Sequence, residues 1–240
     1  MRRVILSALY LASLTKARQP VNVFSPDKEL ALGTELSSQA RSQYTFVRAA
    51  GVSQYVERIG RRLIAALPEH GVVYRFVVVE DRLGGSTNEP VALPGGSIFI
   101  PANLVLESRG EDELAGMLAH AIAHVAARHA TRLATRAGLE QVQFLPALYF
   151  DASLLQNGDP RLRDLQKSFE AEADHLAVAM LATAGYDPRA LVTYIARQQQ
   201  DGERQGRPLL ARDERVRAID GEIEQLPQNN FSRIQEELRK

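Results

Sequence analysis

Two histidines, His120 and His124, lie four residues apart within a segment whose apolar residues recur at helical spacing. Residues four apart share one face of an α-helix, so both imidazoles can bind a single metal ion. The pattern predicts a long helix from Glu111 to about Thr135 that carries part of a metal site. Its apolar stripe consists of Leu114, Met117, Leu118, Ile122 and Val125.

The remaining ligands must be histidine or carboxylate, because the chain contains no cysteine. Glu170 and Asp174 are four residues apart in a second predicted helix, Leu162 to Ala184, and therefore share a face. One of the two carboxylates can bind the ion, while the other accepts the free ring N–H of a ligating histidine. Ala173 and Ala177, on or near this face, would allow close approach of another helix.

The residue that follows His120 cannot act as a general base. In zinc peptidases the histidine pair belongs to the motif H-E-x-x-H, whose Glu is the general base. Ala121 occupies that position. A methyl group retains helix propensity but cannot take a proton, and general acid–base catalysis contributes roughly 10²–10⁴-fold to a rate. The chain is thus expected to keep the metal ligands and to lack the catalytic base.

Two longer segments resemble the HtpX, Oma and BepA group of zinc metallopeptidases, which is peptidase family 48. The first runs from Glu111 through the histidine pair to His129, and the second is residues 170–174 followed by Gly185-Tyr186-Asp187-Pro188. The resemblance spans roughly residues 25–226. It implies that His120, His124 and Glu170 bind one zinc ion.

Asp174 corresponds to the family's Asp of E-x-x-x-D, so it is expected to orient a ligand histidine. The resemblance also implies an α+β, mainly helical, zincin-like fold with a small sheet beside the active-site helix. Residues 25–240 are expected to form one metallopeptidase domain acting on unfolded or misassembled proteins. The short strand Ile98-Phe99-Ile100, next to a Pro-Gly-Gly turn, looks like the segment beside the cleft. We expect its edge to pair with an extended substrate.

Ala121 leaves two explanations open. It is either a deliberate inactivating substitution that keeps zinc and traps substrate, or the mark of a natural pseudopeptidase with a chaperone-like binding role. A second departure is Arg207, which stands where many relatives have a histidine before a proline. A guanidinium has no lone pair for a metal, so regulation by an extra ligand at this position is not expected.

Charge and hydropathy restrict partners and location. Lys+Arg and Asp+Glu are 29 each, which gives no support for nucleic-acid binding. Arg2 and Arg3 precede an apolar run that is too short to cross a bilayer. Residues 1–24 are therefore predicted to be a signal peptide and N-terminal extension. The mature protein is expected in the cell envelope, periplasmic or secreted, without a transmembrane segment; peripheral membrane association remains open.

Overall fold

The computed structural model describes residues 22–68, 71–80, 89–138, 160–196 and 212–226. These form a mainly helical chain with a small sheet, so the predicted class is confirmed. The helices include α1 (Pro26–Gln43), α2 (Ala50–Ile64), α3 (Ala102–Glu107), α4 (Glu111–Ala126), α5 (His129–Arg136), α6 (Pro160–Ala184) and α7 (Arg212–Gln225). The strands are β1 (Thr45–Phe46), β2 (Arg75–Glu80), β3 (Val91–Ala92) and β4 (Ser97–Pro101).

The N-terminal helix α1 is fixed at its start and along one side. The Ser25 hydroxyl accepts a bond from the backbone N–H of Lys28 at 3.3 Å, and Pro26 occupies the first turn. Further along, Gly33 lies directly against the turn before β4. A Cβ at Gly33 would sit 1.8 Å from the carbonyl oxygen of Pro94. The absence of a side chain at this position therefore allows α1 to pack on the sheet.

The four strands lie in the order β1-β2-β4-β3, in which only the β2–β4 pair is parallel. Strand β4 is therefore internal: Ile98 and Phe99 have partners in both β2 and β3, and Ile100 pairs with Val78 of β2. All three residues are buried in the core. The expectation of a free edge is wrong at Ile98 and Phe99, because β3 pairs with them on the outer side. A substrate-binding role for Ile98, Phe99 and Ile100 stays a prediction.

The predicted long helix is in fact two helices. α4 ends at Ala126, Arg128 takes a left-handed conformation with φ of 56°, and α5 begins at His129. The Arg128 side chain forms an ion pair with buried Glu29 of α1, and its Nη2 donates to the carbonyl of Phe24 at 2.6 Å. These long-range contacts hold the unusual backbone conformation, which the local sequence pattern does not indicate.

Helices α4 and α6 pack closely because small residues face each other. Ala123 of α4 and Ala173 of α6 are fully buried and belong to one apolar cluster, and Ala177 is also fully buried. This close approach brings the polar faces of the two helices together, and it is the structural basis of the site described below.

Residues just before the predicted domain boundary contact the rest of the described structure. Residues 1–21, most of the predicted signal peptide, lie outside the described part of the chain. Phe24 is buried, and the side-chain amide of Asn22 donates to Thr131 of α5 at 2.9 Å. The boundary itself stays a prediction. No helix among the described residues is long and apolar enough to cross a bilayer.

Candidate metal centre

Three side chains from two helices converge on one point. Nε2 of His120 and Nε2 of His124 lie 3.0 Å apart on α4. The carboxylate of Glu170 on α6 approaches them at 3.3 Å and 3.6 Å respectively. The three groups together form a possible metal-binding set in which one atom from each lies within 4.8 Å of the others.

The spacing of these atoms fits a small tetrahedral ion. Zinc bonds of about 2.0–2.2 Å in tetrahedral geometry place neighbouring ligand atoms roughly 3.3–3.5 Å apart. The three observed separations, 3.0, 3.3 and 3.6 Å, bracket that value. Two histidines and one carboxylate also leave a fourth position for water or substrate, which is typical of catalytic zinc sites.

The other ring nitrogen of His120 faces a buried carboxylate. Its Nδ1 lies 3.0 Å from Oδ1 of Asp174, one turn beyond Glu170 on α6. Asp174 in turn accepts two bonds of 2.8 Å from the guanidinium of Arg215 on α7. A hydrogen-bonded carboxylate of this kind fixes the orientation of a ligating imidazole, although the N–H of His120 does not point straight at the oxygen.

Sequence reasoning missed Arg215, which also lies 3.6 Å from the carboxylate of Glu170 and is almost fully buried. One signal was available. Arg215 stands four and eight residues before the buried Ile219 and Ile223, so it occupies the apolar face of α7. A charged residue on such a face indicates a buried partner of opposite charge.

The site's charges follow from burial and from these contacts. Burial opposes the charged form of His120, but the carboxylates of Asp174 and Glu170 outweigh it and raise the pKa of His120 to about 9. Burial lowers the pKa of His124 to about 3. Burial alone would raise the pKa of Glu170 and of Asp174; the facing histidines and the guanidinium of Arg215 reverse this and lower both. The metal-free site therefore holds two carboxylates, a neutral His124 and a protonated His120.

His129 lies five residues beyond His124, so a continuous helix would place it on a different face, as a surface residue; this expectation is wrong. It is buried, and its Nδ1 lies 3.0 Å from Nδ1 of His124. Its Nε2 lies 3.2 Å from the carboxylate of Glu172, which also accepts bonds from Arg132 at 2.9 and 3.1 Å. Glu172 is thus not an isolated surface charge. The left-handed turn at Arg128 carries His129 back beside α4, which a continuous helix would not do.

His175, next to Asp174 on α6, makes a contact of its own with α7. Its Nδ1 pairs with the carboxylate of Glu222 at 2.8 Å, and its side chain is 27% exposed. Ala121 lies on α4 between the two ligand histidines and is buried. Arg207 lies outside the described residues.

Comparison with known proteins gives the same lineage as the site. The model of "Peptidase family M48" matches residues 52–225. The mitochondrial metalloendopeptidase OMA1 of Schizosaccharomyces pombe is 30% identical over 163 residues, covering 65% of this chain and 46% of the relative. A putative beta-barrel assembly-enhancing protease of Vibrio cholerae is 26% identical over 190 residues, covering 71% and 38%.

A beta-barrel assembly-enhancing protease of Yersinia pestis is 25% identical over 191 residues, covering 71% of this chain and 37% of the relative. The chain spans less than half the length of each of these relatives. The family model, however, matches well over half of the chain and includes all of α4 and α6. The chain therefore belongs to peptidase family M48, a family of metal-dependent peptidases.

Proposed function

We propose that this chain is a zinc metalloendopeptidase scaffold of family M48 that binds extended segments of unfolded or misassembled proteins and, with Ala121 in place of the general base, cleaves them poorly. The observation that carries the proposal is the convergence of His120, His124 and Glu170 from two helices at separations that suit zinc. Asp174 serves as the carboxylate that orients His120.

Each residue has a defined part in this assignment. A zinc ion held at the site would polarise a scissile carbonyl and acidify a water molecule. The two histidines and Glu170 would hold it, and Arg215 would keep the carboxylates of Glu170 and Asp174 ionised and in place. Ala121 offers no atom that can accept the proton of the attacking water. The chain can thus bind metal and peptide, but it lacks the group that completes hydrolysis.

The strand that we expect to pair with an extended substrate is β3 and not β4. Among the described residues, β3 is the last strand on its side of the sheet, and it packs against α4. The N–H of Leu93 bonds Ser97 at 2.8 Å, so the N–H and C=O of the preceding Ala92 point outward. An extended peptide can add to this edge as a further strand beside α4, the helix that carries two of the metal ligands.

A restoration experiment tests the proposal. Ala121→Glu supplies the missing carboxylate, and Ala121→Gln is its control of equal size without a base. Only the Glu variant should gain zinc-dependent cleavage of an unfolded casein substrate, and His124→Ala in that background should abolish it. If Ala121→Glu binds zinc but gains no cleavage over Ala121→Gln, the peptidase assignment fails.

The alternative is a non-catalytic, zinc-binding pseudopeptidase or chaperone-like protein, and the observation that favours it is Ala121 itself. This alternative expects the unaltered chain to suppress aggregation of an unfolded protein without shortening it. Aggregation measured by light scattering, with substrate length followed on gels, separates the two functions. For location we propose the cell envelope, supported by the order of basic and apolar residues at the start of the chain.

A further inference from the structure

His129 joins one metal ligand to a second polar group on α6. One of its ring nitrogens faces His124 at 3.0 Å, and the other faces Glu172 at 3.2 Å. Arg132 donates to both carboxylate oxygens of Glu172, including the oxygen that faces His129. No part of the resemblance to M48 peptidases assigns a role to these three residues.

The protonation states along this path follow from the position of the ion. Nε2 of His124 faces Glu170 and His120, so this nitrogen must carry a lone pair to bind a metal. The proton of His124 is then on Nδ1, where it can be donated only to an unprotonated Nδ1 of His129. His129 accordingly carries its proton on Nε2, which lies 3.2 Å from the carboxylate of Glu172, although this N–H does not point straight at the oxygen.

The imidazole of His129 is also fixed in its plane. Its ring stacks on Phe169 with centroids 4.4 Å apart and an interplanar angle of 11°. The guanidinium of Arg132 lies 4.5 Å from the centre of the Phe169 ring. Phe169 immediately precedes the ligand Glu170. One turn of α6 therefore supplies a metal ligand, the stacking ring and the carboxylate that faces Nε2 of His129.

From this geometry we propose that His129 is a positioning residue that fixes the tautomer and orientation of His124, with Glu172 and Arg132 holding His129 in turn. The inference rests on the proposed zinc site. His124 thereby receives the same kind of support that Asp174 gives to His120, but through a neutral imidazole interposed before the carboxylate. Outer partners of ligating histidines typically contribute about 10–100-fold to metal affinity.

The test measures metal binding, so it does not depend on catalysis. His129→Leu removes the acceptor, whereas His129→Asn places an amide oxygen near the position of Nδ1. The control is His175→Leu, which removes a histidine–carboxylate pair between α6 and α7 that includes none of the three metal ligands. Zinc affinity is measured by competition with a chromogenic chelator, and the visible spectrum of the cobalt-loaded protein reports the ligand geometry. Melting in chelator shows whether each variant is folded.

The expected result is a loss of about 10–100-fold in zinc affinity for His129→Leu, with a shifted cobalt spectrum and partial recovery in His129→Asn. His175→Leu should change neither. If His129→Leu fails to fold, Glu172→Ala at the half-exposed end of the path should still weaken zinc binding and shift the cobalt spectrum. Unchanged affinity and spectrum in whichever of these variants is folded would overturn the inference.

The same measurements distinguish failure of the inference from failure of the proposed site. If the unaltered protein binds one zinc and His124→Ala loses it, the site stands whatever happens at His129. If the unaltered protein binds no zinc, or His124→Ala retains it, the zinc site itself is refuted and the inference falls with it.

Discussion

Replacing Arg215 with methionine should destabilise the metal-free protein strongly. The Arg215 side chain is 4% exposed and donates two bonds of 2.8 Å to Asp174, whose own side chain is 6% exposed. Methionine keeps much of the length and apolar volume but leaves the carboxylates of Asp174 and Glu170 without their guanidinium. Removing one partner of a buried ion pair costs about 3–5 kcal/mol.

The lower end of that range applies, because His120 still faces Asp174 at 3.0 Å after the substitution. A loss of about 3 kcal/mol corresponds to a fall of roughly 6–12 °C in melting temperature for a domain of this size. The matched control is Arg217→Met on the same helix. Arg217 is exposed, and among the described residues it donates to the carbonyl of Asp213 alone, so its replacement should stay within about 0.5 kcal/mol.

The assay is urea unfolding followed by circular dichroism, with a chelator present because bound metal would stabilise the folded state. A double variant that adds Asp174→Asn separates the ion pair from packing. In the Asp174→Asn background, Arg215→Met should lower the free energy of unfolding by at least about 1 kcal/mol less than it does in the unaltered protein. Equal destabilisation by Arg215→Met and Arg217→Met, or strict additivity in the double variant, would refute the reasoning.

Three further outcomes are expected. Gly33→Ala forces a methyl group against a backbone carbonyl at 1.8 Å and should cost about 1–3 kcal/mol in urea unfolding, whereas Gly51→Ala, with open space around it, should gain roughly 0.5–1 kcal/mol. The hydrogen bond with Glu222 raises the pKa of His175 above 6.5. The stability that this contact adds is therefore present below pH 6.5 and declines as the pH rises through the pKa of the folded state. In His175→Gln, the free energy of unfolding measured across pH should lack this decline. Ala92→Pro should leave the melting temperature nearly unchanged but weaken binding of unfolded casein, because it removes only an outward-facing N–H; unaltered binding would exclude β3 as the substrate edge.

The predictable part of the site is the part in which partners are close in sequence. The two histidines are one helical turn apart, and so are Glu170 and Asp174. The helical period alone therefore places each pair on one face. Which helices then meet depends on small residues such as Ala173, which the sequence also showed. The local patterns were therefore sufficient for the three groups that the structure brings together.

The contacts missed from the sequence depend on a single backbone turn or on distant partners. The left-handed conformation of Arg128 moves His129 into the site, and it depends on Glu29 nearly a hundred residues earlier. Strands β1 and β3 have two residues each, which is too short for a period to be read. The unbroken apolar run of β4 indicates a strand covered on both faces, but it does not indicate which strands pair along its two edges, so the internal position of β4 comes from the structure.

Charge balance leads to a last prediction about the missing base. In the metal-free site, the carboxylates of Glu170 and Asp174 face the guanidinium of Arg215 and a protonated His120, whose pKa is about 9. Zinc binding exchanges that single proton for a doubly charged ion, so the buried site gains one positive charge. Ala121 does nothing to offset it.

A carboxylate at residue 121 would neutralise this excess. A pair of unit charges about 4 Å apart at an effective dielectric constant near 20 interacts by roughly 4 kcal/mol, and part of this is spent on desolvating the new carboxylate. We therefore expect Ala121→Glu to bind zinc at least about threefold more tightly than Ala121→Gln in chelator competition, a difference that should shrink as the pH is lowered and the new carboxylate protonates. Equal zinc affinities for the two variants at neutral pH would mean that the metal-loaded site carries no uncompensated charge, and that the network of Arg215, Asp174 and His120 adjusts its protons in some other way.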